Sequence, residues 1–414
     1  MAKVLIIGGG IVGLSSAYYL QKKGYQVTII DKGEISDNCS FGNAGMIVPS
    51  HFIPLAAPGM IQQGIRWMFN SKSPFYVRPS LNRELLGWGL KFLKHATEKH
   101  VAKSAVPLRD LSLLSKKLYE DLAKEPGFEF ELTNNGILAF FKTEKAGEEE
   151  AHLAEKARTL GLDMGLLNAD ECKALQPKLN LDVLGAVHYR CDAHLYPGKL
   201  MNTLLKYLQA NGVEMIKGKE VTGIETSGEM ISRVFTGTTS WQADQYVLAT
   251  GSWSPAIAKM AGLKVSIMPG KGYSFMEKEP ENRLTIPALL CEARVAITPM
   301  NGAIRYGGTM ELDKINSRIN KKRLSGIVES IPKYFPDLKP GLPEVENTWF
   351  GFRPSSPDGL PYIGRSAKRQ NLIVATGHGM MGLSLGPATG LLVSQIIAEE
   401  KPEMELDSFL IERS

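Results

Sequence analysis

Residues 1–31 restrict the fold more tightly than any other part of the chain. Lys3-Val4-Leu5-Ile6-Ile7 is a short apolar run of the kind that forms a buried parallel strand, and it leads straight into Gly8-Gly9-Gly10-Ile11-Val12-Gly13. The glycines open a helical pattern from Leu14 to Leu20, and a second strand, Gln26-Val27-Thr28-Ile29-Ile30, ends on Asp31. Strand, glycine turn, helix, strand and acid in this order form the dinucleotide-binding fingerprint in its full context. Gly8 permits the tight turn, Gly10 lets backbone approach a pyrophosphate, and Gly13 lets the helix pack on the strand. The helix N-terminus offers N–H groups and the positive end of its dipole to the phosphates. Asp31 is placed to accept hydrogen bonds from ribose hydroxyls.

A chain of 414 residues has room for two domains, and 43% hydrophobic with 22% charged residues is a globular composition. The net charge of +5 comes without a Lys/Arg run interleaved with aromatics, which sets nucleic acid aside as a partner. Cys39, Cys172, Cys191 and Cys291 are scattered, with no paired spacing and no histidine at ligand distance; reduced thiols and no metal are expected. The apolar N-terminus reads as the first strand rather than a leader, because removing it would remove the glycine turn. No run of roughly eighteen apolar residues occurs, so no membrane span is expected.

Beyond residue 45 the pattern changes character repeatedly. Helical periodicity covers 105–125 and 146–160, and 128–142 reads as a strand pair around Asn134-Asn135-Gly136. A helix is expected at about 197–211 and another at 320–334. Short strands follow at 213–216 and 221–225, and a buried strand at 245–249. From 264 to 312 the alternation is that of an antiparallel sheet, and Leu372-Ile373-Val374-Ala375 restores the nucleotide-binding character. The expected fold is α/β: a Rossmann-like domain from 1–50, 190–262 and 346–414, interleaved with an α+β domain from 51–189 and 263–345 built on an antiparallel sheet.

Three further glycine turns follow apolar segments: Ser40 to Gly45, Ala249-Thr250-Gly251-Ser252-Trp253-Ser254, and Ala375-Thr376-Gly377-His378-Gly379-Met380-Met381-Gly382. The last leads into a helix whose positive end would stabilise negative charge on a reduced flavin. Together with the N-terminal motif they favour FAD over a nicotinamide cofactor.

These motifs, with Ala56-Ala57-Pro58-Gly59, Gly270-Lys271-Gly272-Tyr273-Ser274, Arg305-Tyr306-Gly307-Gly308, Gly351-Phe352-Arg353-Pro354 and Pro357-Asp358-Gly359, give a chain that resembles the FAD-dependent D-amino-acid oxidase superfamily over its full length. Within it the closest look is to bacterial D-amino-acid dehydrogenases. The resemblance implies non-covalent FAD held by Gly8, Gly10, Ile11, Val12, Gly13, Asp31, Lys32, Ser40, Asn43, Ala44, Gly45, Val221, Thr250, Gly251, Trp253, Gly377, His378, Gly379, Met381, Gly382 and Leu383. It also implies oxidation of an amino acid by hydride transfer to flavin, giving a 2-oxo acid and ammonia, with electrons passed to a quinone or dye.

Arg353 matches the arginine with which relatives hold the substrate carboxylate, a role suited to a planar fork of donors. Tyr273 is expected on the substrate side, and His378 beside the flavin in a positioning or electrostatic role. Arg305 could meet the carboxylate or an electron acceptor, or be an exposed strand residue; His51 and Tyr196 are further pocket candidates. Two departures narrow the family. Glycine oxidases carry an arginine where this chain has Met380-Met381, and sarcosine oxidases attach flavin through a cysteine where this chain has Gly351.

The stretch 60–109 carries Arg66, Lys72, Arg78, Arg83, Lys91, Lys94, Lys99, Lys103 and Arg109 among Trp67, Trp88 and many aliphatic residues, against Glu84 and Glu98. A basic amphipathic stretch of this kind reads as a membrane-surface contact. The expected location is cytoplasmic, with peripheral contact at the inner membrane face. Two rival readings remain at this point: an O₂-using amine oxidase, and a FAD-bearing subunit of an amine-oxidising complex.

Overall fold

The run Val4–Ile7 is apolar and fully covered, so its backbone must find partners on both sides. In the computed structural model, which describes residues 1–36, 38–60, 62, 64, 73–77, 83–279, 281 and 283–413, it does so in a parallel sheet. Lys3–Ile7 pairs with Gln26–Ile30 on one side and Gln245–Leu248 on the other. Glu214–Ile216 extends one edge and Leu372–Thr376 the other, and antiparallel Tyr362–Arg365 closes the second edge.

Helix Ile11–Lys22 and helix Gly382–Ile397 lie against each other in parallel, because two glycines let their backbones touch. A Cβ on Gly386 would fall 2.7 Å from the Ile11 side chain, and one on Gly390 would fall 2.5 Å from the Ser15 carbonyl carbon. Both N-termini therefore open at the same end. Gly379–Ile397 is long and apolar enough to cross a membrane, but it is mostly buried here as a core helix.

The second sheet is mixed. Its order is Trp349–Ser355, Met268–Lys278, Ala303–Leu312, Val295–Pro299, Ala288–Leu290, Ile137–Phe141, Gly185–Tyr189 and Gly165–Asn168, with Phe75–Val77 pairing on Ala303–Leu312. Alternation along Met268–Lys278 gives this sheet two distinct faces. Tyr273 and Phe275 enter a core with Leu324, Ile327 and Phe335, under helix Lys321–Ser330. Gly270, Gly272 and Ser274 fall on the other face, where the Ser274 hydroxyl donates to the Gly42 carbonyl at 2.8 Å. That inner face looks at the first sheet.

Three expectations change. Residues 128–142 hold one strand, Ile137–Phe141, rather than a hairpin; Phe128 and Phe130 are buried in the core of the first sheet and cannot serve a second ladder. Residues 346–414 divide: Trp349–Ser355 joins the second sheet, and only the later strands belong to the first. The helix expected at 105–125 starts earlier, as Glu98–Leu122 with Thr97 as its N-cap. Of the basic stretch, Arg66, Lys72, Arg78, Ile61, Ile65, Trp67, Met68 and Phe69 lie outside the described residues.

Candidate active site

The glycine turn is fixed by packing at two positions and left open at a third. Gly8 has φ +109°, and a Cβ there would fall 2.5 Å from the Ala249 carbonyl oxygen. A Cβ on Gly13 would lie 1.9 Å from the Gly8 oxygen, so the helix can meet the strand only as glycine. Gly10 is different: its Cβ would meet nothing closer than Ser40 Oγ at 3.6 Å. Protein packing does not demand a glycine there, and a ligand approaching the backbone does. The Ile11 N–H is taken by Ser40 Oγ at 3.0 Å, while the Val12 and Gly13 N–H groups sit in a first turn with no side-chain cap. The second helix, beginning at Gly382 and Leu383, likewise has no side-chain cap. Two parallel uncapped N-termini and an open glycine fit a pyrophosphate-bearing cofactor.

Asp31 serves the turn as well as any ribose. Its carboxylate accepts from the Gly9 N–H and the Gly33 N–H, each at 2.7 Å, and each oxygen keeps a further lone pair. Asn38, which sequence reasoning missed, locks the same place by donating to the Gly9 carbonyl at 2.9 Å and accepting from the Ser40 N–H at 3.0 Å. Lys32 lies over the Trp253 ring, 4.0 Å from its centroid, so these two expected contacts meet each other. Val221 is buried with Ile30 in the core behind the turn. Cys39 accepts from the Phe352 N–H at 3.4 Å, and burial pushes its thiol pKa up.

A chain of hydroxyls couples the second and third glycine turns. Thr250 Oγ1 and Ser254 Oγ lie 3.0 Å apart, and Ser254 Oγ and Thr376 Oγ1 lie 2.8 Å apart. The Thr376 hydroxyl also reaches the Gly251 carbonyl at 3.1 Å. Thr250–Gly251 and Thr376–Gly377 are thus held as one surface, with Gly379 open at its rim. His378 turns its ring inward. Its Nε2 is 2.9 Å from Thr389 Oγ1, and the Thr389 hydroxyl donates to the Leu385 carbonyl, which makes Nε2 the protonated nitrogen. Burial lowers its pKa to about 3, so it is neutral and anchors the turn to the helix. Among the flanking residues, the Leu383 carbonyl accepts from the Tyr119 hydroxyl, and Met381 and Ala44 pack with Met46 and Val48 toward the second sheet.

Arg353 lies on the inner face of the second sheet, opposite Gly270 in register. A Cβ on Gly272 would fall 2.3–2.5 Å from three atoms of its guanidinium, so that glycine is the platform on which the cation rests. One Nη1–H goes to the Thr309 carbonyl. No acid pairs with it among the described residues, and its remaining donors have no protein acceptor there. Thr309 itself is in the left-handed region at φ +63°, and its hydroxyl is buried without a partner. Desolvation lowers the Arg353 pKa to about 10, which leaves it fully charged at neutral pH. A desolvated fork with free donors has the chemistry to receive a carboxylate.

The other candidates sort by position. Tyr273 is corrected: its ring is in the core on the far face, and its hydroxyl donates to Glu311 at 3.1 Å and accepts from the Asn320 N–H at 3.2 Å. It does not share the face of Arg353, because adjacent strand residues point oppositely. Arg305 is buried rather than exposed, and it donates to the carbonyls of Phe41 at 3.0 Å and Asn43 at 2.6 Å. It clamps the Ser40–Gly45 loop, while the Gly45 N–H is held by Asn43 Oδ1 at 2.9 Å. Tyr196 stacks beside Arg305, 5.9 Å away. His51 has Nδ1 3.2 Å from Ser50 Oγ, whose hydroxyl donates to buried Asp192 at 2.6 Å; burial lowers its pKa to about 4.

A glycine-turn cradle on one sheet thus stands beside a second sheet that carries a cation without an acid partner among the described residues. The family model described as FAD dependent oxidoreductase matches residues 3–396, and the chain belongs to that family. Its cofactor is FAD. The chain is 31% identical over 409 residues to a D-amino acid dehydrogenase of Helicobacter pylori, covering 99% of this chain and 98% of that one. It is 32% identical over 415 residues to one of Vibrio vulnificus, covering 97% of each. Among solved structures it resembles glycine oxidase from Geobacillus kaustophilus, with TM-score 0.79, 23% identity and all of both chains covered. L-Proline dehydrogenase from P. horikoshii aligns with TM-score 0.75 at 20% identity, over 100% of this chain and 97% of that one. These structural likenesses speak for the fold.

Proposed function

We propose that the protein is a dehydrogenase that oxidises D-amino acids to 2-oxo acids and ammonia and passes the electrons to a quinone or dye. The observation that carries this reading is Arg353: a partly buried, desolvated cation on a glycine platform, with no acid partner among the described residues, on the face that looks at the FAD cradle. When bound, FAD supplies the acceptor for the hydride of the amine-bearing carbon, and water hydrolyses the resulting imine. The chain supplies orientation. Arg353 fixes the carboxylate plane, and Gly272 keeps the fork flat against the sheet. His378 is neutral and turned inward, so it offers the site no base, in keeping with a hydride leaving from a neutral amine. The relatives named D-amino acid dehydrogenase support the substrate class. Anaerobic bleaching of the bound flavin by a panel of D- and L-amino acids and N-methylglycines tests the reading. Bleaching by D-amino acids is expected; bleaching confined to L-amino acids or N-methylglycines would overturn it.

Membrane-surface contact belongs to the same reading. In helix Arg83–His95, Trp88 turns inward and donates to the Ser355 carbonyl at 2.8 Å. Leu86, Leu90 and Leu93 form an outward stripe, 56%, 69% and 53% exposed, among Arg83, Lys91 and Lys94. An apolar stripe flanked by cations suits an anionic lipid surface. Sedimentation with anionic vesicles at low salt is expected to carry the protein down, and Leu90→Asp to abolish this. No binding by the unaltered protein sinks the idea.

A further inference from the structure

The carboxylate clamp takes one part of the inner face of the second sheet, and another part carries an opening the proposed reaction has not used. A groove of about 680 Å³ lies between Phe41-Gly42, the outer half of strand Met268–Lys278 and the 341–349 segment. Its inner wall is the cofactor loop that Arg305 holds by the Phe41 and Asn43 carbonyls. Trp349 belongs to both places. A Cβ on Gly42 would fall 2.0 Å from its ring and one on Gly351 2.1 Å from it, so the indole lies flat against both. Gly351 is the cross-strand partner of Gly272, on which the Arg353 guanidinium rests. The indole therefore stands between groove and clamp.

The lining suits one class of ligand. Phe41 and Trp349 contribute aromatic surface, and Leu342, Pro343 and Met276 add apolar surface, a combination that suits a weakly polar ring. Glu277 and Glu344 also line the groove, and Arg305, the one basic residue among its described lining, directs its Nη1 to two loop carbonyls. The resulting field disfavours anions. An enzyme that takes electrons from an amino acid must hand them to a second substrate, and an opening beside the cofactor loop but apart from the carboxylate clamp lets that substrate approach without displacing the amino acid.

We propose that this groove is the electron-acceptor site and that it binds a neutral quinone ring between Phe41 and Trp349. The inference rests on the dehydrogenase reading. The test uses oxidised holoenzyme without amino acid, titrated calorimetrically with a fully substituted, water-soluble benzoquinone. Leu342, half-exposed at 50%, can be changed without disturbing the core. Leu342→Asp and Leu342→Trp are expected to weaken binding about tenfold or more, one by charge and one by filling the groove. The KM for the quinone should rise in parallel, while anaerobic bleaching of the flavin by a D-amino acid keeps its rate. A Glu277→Gln, Glu344→Gln double variant should use ferricyanide several-fold better at low salt with unchanged quinone affinity. Unchanged quinone binding in both Leu342 variants, or slowed bleaching in step with weakened binding, would overturn the proposal. Should no amino acid bleach the flavin, the dehydrogenase reading fails, and the calorimetric result still decides separately whether the groove takes a quinone.

Discussion

On the proposed reading the cradle in the first sheet and the inner face of the second sheet meet the same cofactor, but they are built in opposite ways. In the cradle the backbone does the binding, and side chains only hold it: Asp31 and Asn38 fix Gly9, Ser40 takes the Ile11 N–H, and the hydroxyl chain joins Thr250 to Thr376. On the second sheet the backbone is only a platform, and charged side chains act on it. Arg305 and Arg353 share that face and are both desolvated, yet their partners separate them. Arg305 spends Nη1 on two loop carbonyls and Nη2 on the Met276 sulfur, leaving its buried Nε without a partner; Arg353 spends one donor on the Thr309 carbonyl and has no other acceptor among the described residues. Arg305, with three contacts on its guanidinium ends, clamps the loop, and on the proposed reading Arg353, with one, is the receptor.

Substitutions can break this contrast, and the largest effect is expected in the cradle. Gly13→Val forces a side chain into the Gly8 carbonyl, so the purified protein should lose its flavin absorbance on desalting. Arg305→Met should weaken FAD retention roughly tenfold, measured by fluorescence of released flavin, while the KM for amino acid stays nearly constant. A large KM change without loss of flavin would put Arg305 on the substrate instead. Tyr273→Phe should cost about 1 kcal/mol of stability in urea melts and change kcat/KM less than about twofold, because its hydroxyl serves Glu311 and Asn320 on the far face.

A pH effect is expected behind the pocket. Burial pushes the Asp192 carboxyl up to about 7, against the donations from Ser50, whereas an unfolded aspartate titrates near ~3.9. The native state therefore holds an extra proton across that interval, and the Asp192 contribution to stability falls as pH rises from about 4 to about 7. Histidines 51, 194 and 378, whose pKa values desolvation lowers to about 4, 4 and 3, act oppositely, and their contribution to stability is lost as pH falls below ~6.5. Asp192→Asn isolates the carboxyl: its stability relative to the unaltered protein should grow between pH 5 and 7.5 in denaturant melts. A constant difference across that range would refute the assignment.

The contrast also explains what could be read from the sequence. Backbone-built sites leave marks, because Gly8, Gly10 and Gly13 have no substitute at their spacing and an acid must follow the second strand. Side-chain sites leave weaker ones. Arg353 is visible as a motif, but its platform Gly272 and neighbour Trp349 become meaningful only when the two strands are paired in register. Tyr273 was placed on the wrong face, although the two-residue period sets it opposite Gly272 and Ser274. Buried Lys271 on the tyrosine's own face, bonded to the Arg318 carbonyl at 2.8 Å, obscures the alternation. The 128–142 segment forms no hairpin because Phe128 packs on Tyr18, a contact 110 positions away in the chain. Asn38 acts on a carbonyl brought to it by the fold and carries no local signal.

The account turns on Arg353 being the substrate's carboxylate receptor and Arg305 not. Titrating oxidised holoenzyme with a simple monocarboxylate, followed by perturbation of the flavin absorption bands, measures this directly. Arg353→Met should retain flavin and weaken carboxylate binding roughly 100-fold, while Arg305→Met leaves that affinity within about threefold. Equal weakening in both variants, or full affinity in Arg353→Met, would contradict it.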